Sequence, residues 1–438
     1  MRRSLVALVI GLALLGPAAA RCEEAREAGA LVLTLDEALR LAAERGWDVR
    51  KAVEYRAQVE GRYVAERSVA LPQFTASSGA SRSDDASQGA IGFPQRTENL
   101  AARLAVTQPL FTWGQIGAAL KIADIGRQTA GDRLASARGT ALKDAATAFF
   151  DLLLAREFEA LALQNLQQRT RHLEEARRRL AAGTATDFDV LAASVDVQNA
   201  RPEVIRTANR VGAAREALAF AIGIGRKPVE AAGSLESMAV AAAAQPDYAT
   251  AFRTAAASRP ELAELRKQRA MSSEYERVVR AGNKPRVDFG ADYGWRSVDM
   301  DGSQGDGTTW SAGVQLTWPV FDGGRTQGAV AQAESDTRNL GIDEARFLDS
   351  LALETRTGID AVRDAAAIVE ALGGTVGEAE RVLAMAEKGF ELGVKTRLDV
   401  DDALLNLLQA RASLARGRRD LLVAQINLRW VMGQLVAR

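Results

Sequence analysis

Gln108-Pro109-Leu110-Phe111-Thr112-Trp113-Gly114 recurs, 210 positions on, as Trp318-Pro319-Val320-Phe321-Asp322-Gly323-Gly324. In both stretches a proline precedes phenylalanine by two residues, and the run closes on glycine. The same offset aligns Gly183, Thr186, Asp189 and Val190 with Gly393, Thr396, Asp399 and Val400, and Gly223 with Gly433. Toward the start of each half the offset becomes 213, pairing Pro72 with Pro285 and Asp48-Val49 with Glu261-Leu262. A fixed offset held over this length is the mark of a tandem duplication. The expected organisation is a first repeat over residues 34–225, a linker over 226–246 and a second repeat over 247–438.

Proline placement divides each repeat. Pro72 and Pro285 end a helical segment, because the residue before proline is steered out of the helical region. Pro109 and Pro319 mark the passage from an alternating segment to a helical one. No proline occurs from Leu110 to Arg201 or from Val320 to Arg438, as long unbroken helices require. Residues 114–182 predict one helix of about 69 residues, or roughly 100 Å at 1.5 Å per residue, with its counterpart over 324–392. Beyond it Val400, Leu407, Leu414, Leu421, Leu428 and Leu435 lie seven apart, each but the last followed after three residues by Ala403, Ala410, Gly417, Ala424 or Val431. Val190, Val197, Val204, Val211 and Leu218 repeat the register. Large and small apolar residues in a sustained heptad specify coiled-coil packing at close approach. Pro202 stands where the second repeat has Ala412, and a kink is expected there.

Between the prolines the period falls from seven to two. Strands are predicted at about 73–82, 99–108, 287–296 and 309–318. In the last, Trp310, Ala312, Val314, Leu316 and Trp318 alternate with small or polar residues. Ten residues suit a tilted transmembrane strand, and Trp113, Trp295, Trp310 and Trp318 suit aromatic girdles at a bilayer surface. Arg103, Asp288, Asp292 and Arg296 fall on the polar face as candidate lumen residues; their mixed signs predict no strong ion selectivity. Amphipathic hairpins over a soluble helical core would also alternate, but would leave the polar second face and the tryptophans unexplained. Four strands cannot close a barrel, and open edges cannot remain in lipid. A membrane reading therefore forces oligomerisation, and three chains would supply twelve strands.

Composition narrows the function. The chain has 438 residues with 56 Lys and Arg against 56 Asp and Glu, one His and one Cys. Balanced charge argues against nucleic acid as the partner. One cysteine excludes a disulfide framework and a multi-cysteine metal site within the chain. His172 stands alone on a charged segment and reads as solvated. No constellation of nucleophile, base and metal supports an enzyme, and nothing calls for a cofactor. Asp299–Gly307 resembles a calcium loop only superficially, lacking the central glycine and closing glutamate, and reads as an extracellular hairpin loop. Arg2 and Arg3, an apolar run from Leu5 to Leu15 and Ala18-Ala19-Ala20 read as a secretory signal over residues 1–20, followed by an N-terminal segment over 21–33. Cys22 is a candidate for lipidation, although Arg21 stands where a small residue is expected.

The turns between helices read as caps. Gly183 and Gly393 suit the left-handed position that ends a helix. Thr186 and Thr396 suit the next N-cap, with Asp189 and Asp399 three residues on as a capping box.

The junctions around Pro109 and Pro319, the two Gly-x-x-Thr-x-x-Asp-Val turns and the duplicated helix–strand–strand–helix–helix plan together resemble the TolC-type outer-membrane efflux proteins, over residues 34–438. The resemblance implies a mainly α fold with membrane β: a homotrimer with a 12-stranded barrel in outer-membrane lipid and a coiled-coil tunnel crossing the periplasm of a Gram-negative cell. It implies docking to a periplasmic adaptor (membrane fusion) protein and an inner-membrane pump of RND or ABC type. It places the hairpin tips at the periplasmic entrance, with Asp187, Asp189, Phe390, Lys395 and Arg397 as gate candidates. Asp189 matches a gating aspartate. Phe390 stands where some members have a tyrosine and Lys395 where they have an arginine; Phe390 cannot donate a hydrogen bond, and Lys395 lacks the bidentate fork of arginine. The expected function is a passive duct for small toxic compounds. A type I protein secretion channel is the nearest alternative, and a periplasmic coiled-coil scaffold without a pore is the alternative of another class.

Overall fold

A computed structural model describes residues 31–85, 87, 96–239 and 246–435. The expected signal segment, residues 21–30 with Cys22, Pro94 and residues 240–245 of the expected linker lie outside the described residues. The first half runs β1 (Leu31–Leu33), α1 (Leu35–Arg45), α2 (Trp47–Ser68), β2 (Gln73–Asp84), β3 (Arg96–Phe111), α3 (Gln115–Ala181) and α4 (Asp187–Ala221). The second runs β4 (Val229–Ala231), α5 (Leu235–Met238), α6 (Tyr248–Ser258), α7 (Pro260–Arg280), β5 (Arg286–Met300), β6 (Ser303–Thr317), α8 (Arg325–Glu391) and α9 (Arg397–Val431). Residues 226–246, expected as a linker, thus carry β4, which pairs in parallel with β1, and α5.

α3 and α8 are 67 residues each, about 100 Å long. They form the frame of the molecule. Near the sheet α3 packs between α2 and α7, and α7 in turn packs on α8. Farther away α3 packs between α4 and α9, and α9 on α8. The heptad explains the second arrangement. Val400, Leu407, Leu414, Leu421 and Leu428 are all buried, as are Ala403 and Ala410. A side chain at Gly417 would meet Val369 at 3.3 Å and Leu372 at 3.4 Å, so the small position sets the helix separation. Val197, Val211 and Leu218 do the same on α4, which continues as one helix through Pro202. The largest core lies at the waist, where Leu142, Phe149, Phe150 and Leu152 of α3 are covered by α1, β1 and β4.

The duplication is repeated in detail at this waist. The helix leading to each strand pair is broken once, at Gly46 between α1 and α2 and at Arg259 between α6 and α7. Pro260 opens α7 at a position where its missing N–H costs nothing. Onto each break packs a glycine that caps a long hairpin helix: Gly223 (φ 71°) against Arg45 and Gly46, and Gly433 (φ 66°) against Ser258.

The four long strands form one antiparallel sheet in the order β2-β3-β5-β6. Its register aligns Phe74 with Val106, Leu104 with Tyr293, Tyr293 with Trp310 and Val287 with Leu316, which makes one face apolar from the helices up to Leu100 and Trp295. Beyond them Arg82, Glu98 and Asp299 make it polar. Phe74 and Trp310 on that face are 72% and 76% exposed, a patch that water does not tolerate on an isolated soluble domain. The strands are 12 to 16 residues long, beyond the ten expected. Most of the excess lies at the far end, where Asp301 and Gly302, both at positive φ (52° and 87°), make a two-residue hairpin; β3 also continues to Phe111 at the helix end. Asp-Gly is the preferred pair for such a turn. The loop expected over Asp299–Gly307 is therefore mostly paired strand.

Candidate channel entrance and polar sheet face

The end of the molecule remote from the sheet is made by two helical hairpins, α3–α4 and α8–α9, closed by the same turn. Gly183, at φ 74°, donates its N–H to Leu180 at 2.9 Å, and Thr184 donates to Arg179 at 2.8 Å. This pair of bonds satisfies the last carbonyls of α3. Gly393 (φ 73°) and Val394 do the same for α8, at 3.1 and 2.9 Å. The following helix is capped reciprocally. Thr186 donates from both N–H and hydroxyl to Asp189 at 2.8 Å, while the Asp189 N–H returns a bond to the Thr186 hydroxyl at 3.3 Å. Thr396 and Asp399 repeat this at 2.7, 2.7 and 3.2 Å.

Both carboxylates are held below the ordinary aspartate range. For Asp189 the main cause is the Thr186 N–H, then its hydroxyl, with attraction from Arg397 added. For Asp399 it is the Thr396 hydroxyl, then the N–H, then Lys395. A depressed folded-state pKa contributes stability that is complete above the unfolded value, about 3.9, and is lost as pH falls through the lower folded value. Amide exchange at residues 184–190 and 394–400, corrected for intrinsic rate, is expected to stay slow down to about pH 4 and to quicken below it. Quickening already near pH 6.5, in the ordinary histidine range, would assign tip stability to something other than the caps.

Not all the gate candidates meet. A cavity of about 210 Å3 between the hairpins is lined by Asp189, Phe390 and Arg397, together with His172, Arg179 and Asp401. Arg397 also pairs with Asp401 at 3.7 Å. Lys395 instead turns back to Asp399 at 3.3 Å, its stem lying over Gly389, where a side chain would meet the lysine Cγ at 2.6 Å. Asp187 is exposed on the first turn of α4, outside the cavity. Phe390 has no hydroxyl, and its ring is met by the Arg179 guanidinium 4.8 Å from the centroid. Sequence reasoning missed Arg179, and it treated His172 as solvated. In fact His172 is half-buried, with Nε2 3.5 Å from the Gln168 amide nitrogen. The available signal was the spacing of His172, Glu175 and Arg179, which places them on one face of α3.

At the other end, Arg103, Asp288, Asp292 and Arg296 share the polar face of the sheet. The two acids and one of the arginines are charge-paired, and Arg296 keeps its charge. Arg103 donates to Asp292 at 2.7 Å, and Ser311 donates to the same oxygen. Arg296 donates to Asn99 at 2.9 Å, and Arg286 to Asp288 at 2.7 Å. The face carries two neutralised pairs, Arg103–Asp292 and Arg286–Asp288, and one uncompensated guanidinium, that of Arg296.

Comparison with known proteins agrees with this geometry. The family model described as "Outer membrane efflux protein" matches residues 38–224 and 251–434. Outer membrane protein TolC of Vibrio cholerae is 24% identical over 381 residues, covering 85% of this chain and 84% of that protein. The cobalt-zinc-cadmium resistance protein CzcC of Cupriavidus metallidurans is 26% identical over 385 residues, covering 86% and 85%. The crystal structure of the MtrE outer membrane channel of Neisseria gonorrhoeae in its open state superimposes with a TM-score of 0.76 at 19% identity, covering 91% of this chain and 88% of that one.

Proposed function

The chain belongs to the outer membrane efflux protein family, and on that premise we propose that it is the passive outer-membrane exit duct of a tripartite efflux system for small toxic compounds. Three copies close the sheets into a twelve-stranded barrel and the helices into a periplasmic tunnel. An inner-membrane pump of RND or ABC type, reached through a periplasmic adaptor, supplies the energy.

The observation that carries this reading is the two-faced sheet with an open edge at β2 and another at β6. In lipid each unpaired backbone group costs several kcal/mol, and joining β6 of one copy to β2 of the next removes every such edge. The apolar face then meets lipid, and the Arg103–Asp292 pair lines the lumen. At the opposite end Asp189, Phe390 and Arg397 of each copy form the entrance. Phe188, Val394 and Leu398, between 68% and 77% exposed at the tips, offer apolar contacts to the adaptor.

Purified trimer in planar bilayers tests this. Arg179→Ala with Phe390→Ala removes a cation–π contact of about 1 kcal/mol, so the open fraction is expected to rise about fivefold. A monomeric, water-soluble particle without conductance would sink the duct, whereas wild-type conductance in the double variant would remove Phe390 from the gate.

A further inference from the structure

Where α3 leaves the sheet, its first two turns and the last two turns of α7 enclose a cavity of about 450 Å3. Lys121, Arg277, Arg280 and Lys284 line it against one carboxylate, Glu274, and Trp113 lines it as well. Glu274 is buried and already satisfied, by Lys121 at 2.5 Å and Arg277 at 3.1 Å. Arg280 is shared between Glu276 and Glu334, at 2.5 and 2.6 Å, neither of which lines the cavity. Lys284 is exposed and takes part in none of these pairs. The cavity therefore keeps an excess of positive charge.

Two observations place it on the outside of the wall, at the lower border of the apolar sheet face. Phe111 sits opposite Val287, on the apolar face, and Trp113 meets Phe111 edge-on with centroids 5.2 Å apart. Along α3, Lys121, Gln128, Ala135 and Leu142 share one heptad position. Leu142 faces the layer of α1, β1 and β4, which a water-filled tunnel has no room to hold. The sequence repeat does not carry these charges over. Gly61, Val64, Arg67, Leu71 and Ala331 stand there in place of Glu274, Arg277, Arg280, Lys284 and Lys121. Four of the five positions are uncharged.

We propose that this cavity binds the phosphate of an anionic phospholipid headgroup from the periplasm-facing leaflet of the outer membrane. The inference rests on the membrane reading above. Guanidinium forks and ammonium groups together match phosphate oxygens. A tryptophan at the same level sits with its ring against the acyl chains and its N–H toward the headgroups. Cations immediately outside a bilayer attract anionic lipid at short range.

The test is native mass spectrometry of the detergent-purified full-length trimer with phosphatidylglycerol, phosphatidylcholine or inorganic phosphate added, with bilayer conductance measured on the same samples. Wild type is expected to retain phosphatidylglycerol in preference to phosphatidylcholine. Arg277→Gln with Lys284→Gln leaves Lys121 to hold Glu274 and is expected to weaken that retention about thirtyfold. Lys284→Gln alone, at an exposed site, is expected to weaken it about fivefold, and Arg67→Gln in the other repeat to leave it unchanged. Equal retention of both lipids, unaltered retention in the variants, or binding of inorganic phosphate without lipid preference would each overturn the proposal. Conducting variants with unaltered lipid retention overturn this inference alone; a wild-type protein that does not conduct overturns the membrane reading and this inference with it.

Discussion

Replacing Gly223 by alanine is expected to cost about 3–5 kcal/mol, enough to remove most of the protein from the folded pool. Two effects add. The residue sits at φ 71°, a conformation that a side chain resists. The new Cβ would also collide with the carbonyl oxygen of Arg45 and stand 2.7 Å from its carbonyl carbon. That neighbour is backbone at a helix end, so no rotamer change relieves the contact. Gly183 separates the two effects, since it has nearly the same φ of 74° but nothing within 4 Å of an added Cβ. Gly183→Ala is expected to cost only about 1 kcal/mol. Denaturant midpoints of the two variants measure the difference, and equal midpoints would show that the waist yields to accommodate the methyl group.

The second large effect is expected at Arg259. Its side chain is 5% exposed, lies over the Trp430 ring at 4.2 Å, and meets Glu261 at 2.9 Å and Glu354 at 3.6 Å. It stands at the break between α6 and α7, beside the Ser258 backbone on which Gly433 packs. Arg259→Ala removes the stacking, leaves a gap over Trp430 and takes the cation from two partly exposed carboxylates that keep Ser136 and Ser350 as donors, an expected loss of about 2–3 kcal/mol. Arg259→Met with Glu261→Gln and Glu354→Gln keeps the volume while removing the orphaned charge, and is expected to recover more than half of the loss. Thermal unfolding of the solubilised protein distinguishes the two. If the triple variant is as unstable as Arg259→Ala, the pairing with these carboxylates is not what the site contributes.

Much of the architecture was legible because it rests on periodicity. The heptad from Val400 to Leu428 reports burial directly, the alternation from Trp310 to Leu316 reports the two faces of the sheet, and the duplication states each pattern twice. The caps at Thr186 and Thr396 were legible because every bond in them is local. What escaped was decided by tertiary contact. Asp301-Gly302 sits in an acidic, glycine-rich run that looks like a loop, although the register of β5 and β6 continues through its flanks. Pro260 breaks its helix at a point that no period in the sequence announces, beside the Ser258 backbone on which Gly433 packs. At the entrance, Lys395 was drawn to its own capping aspartate, and Arg179, from the other hairpin, took the place beside Phe390. Spacing within one helix does not reveal which side chain arrives from another.

The open edges of β2 and β6 also constrain biogenesis. The helical body has hydrophobic cores of its own within one chain. The sheet cannot enter a bilayer one chain at a time, because its edge amides would be stripped of water with nothing to replace it. On the proposed barrel, membrane insertion and the joining of neighbouring chains are therefore one event, and until it happens the apolar face needs shelter from water.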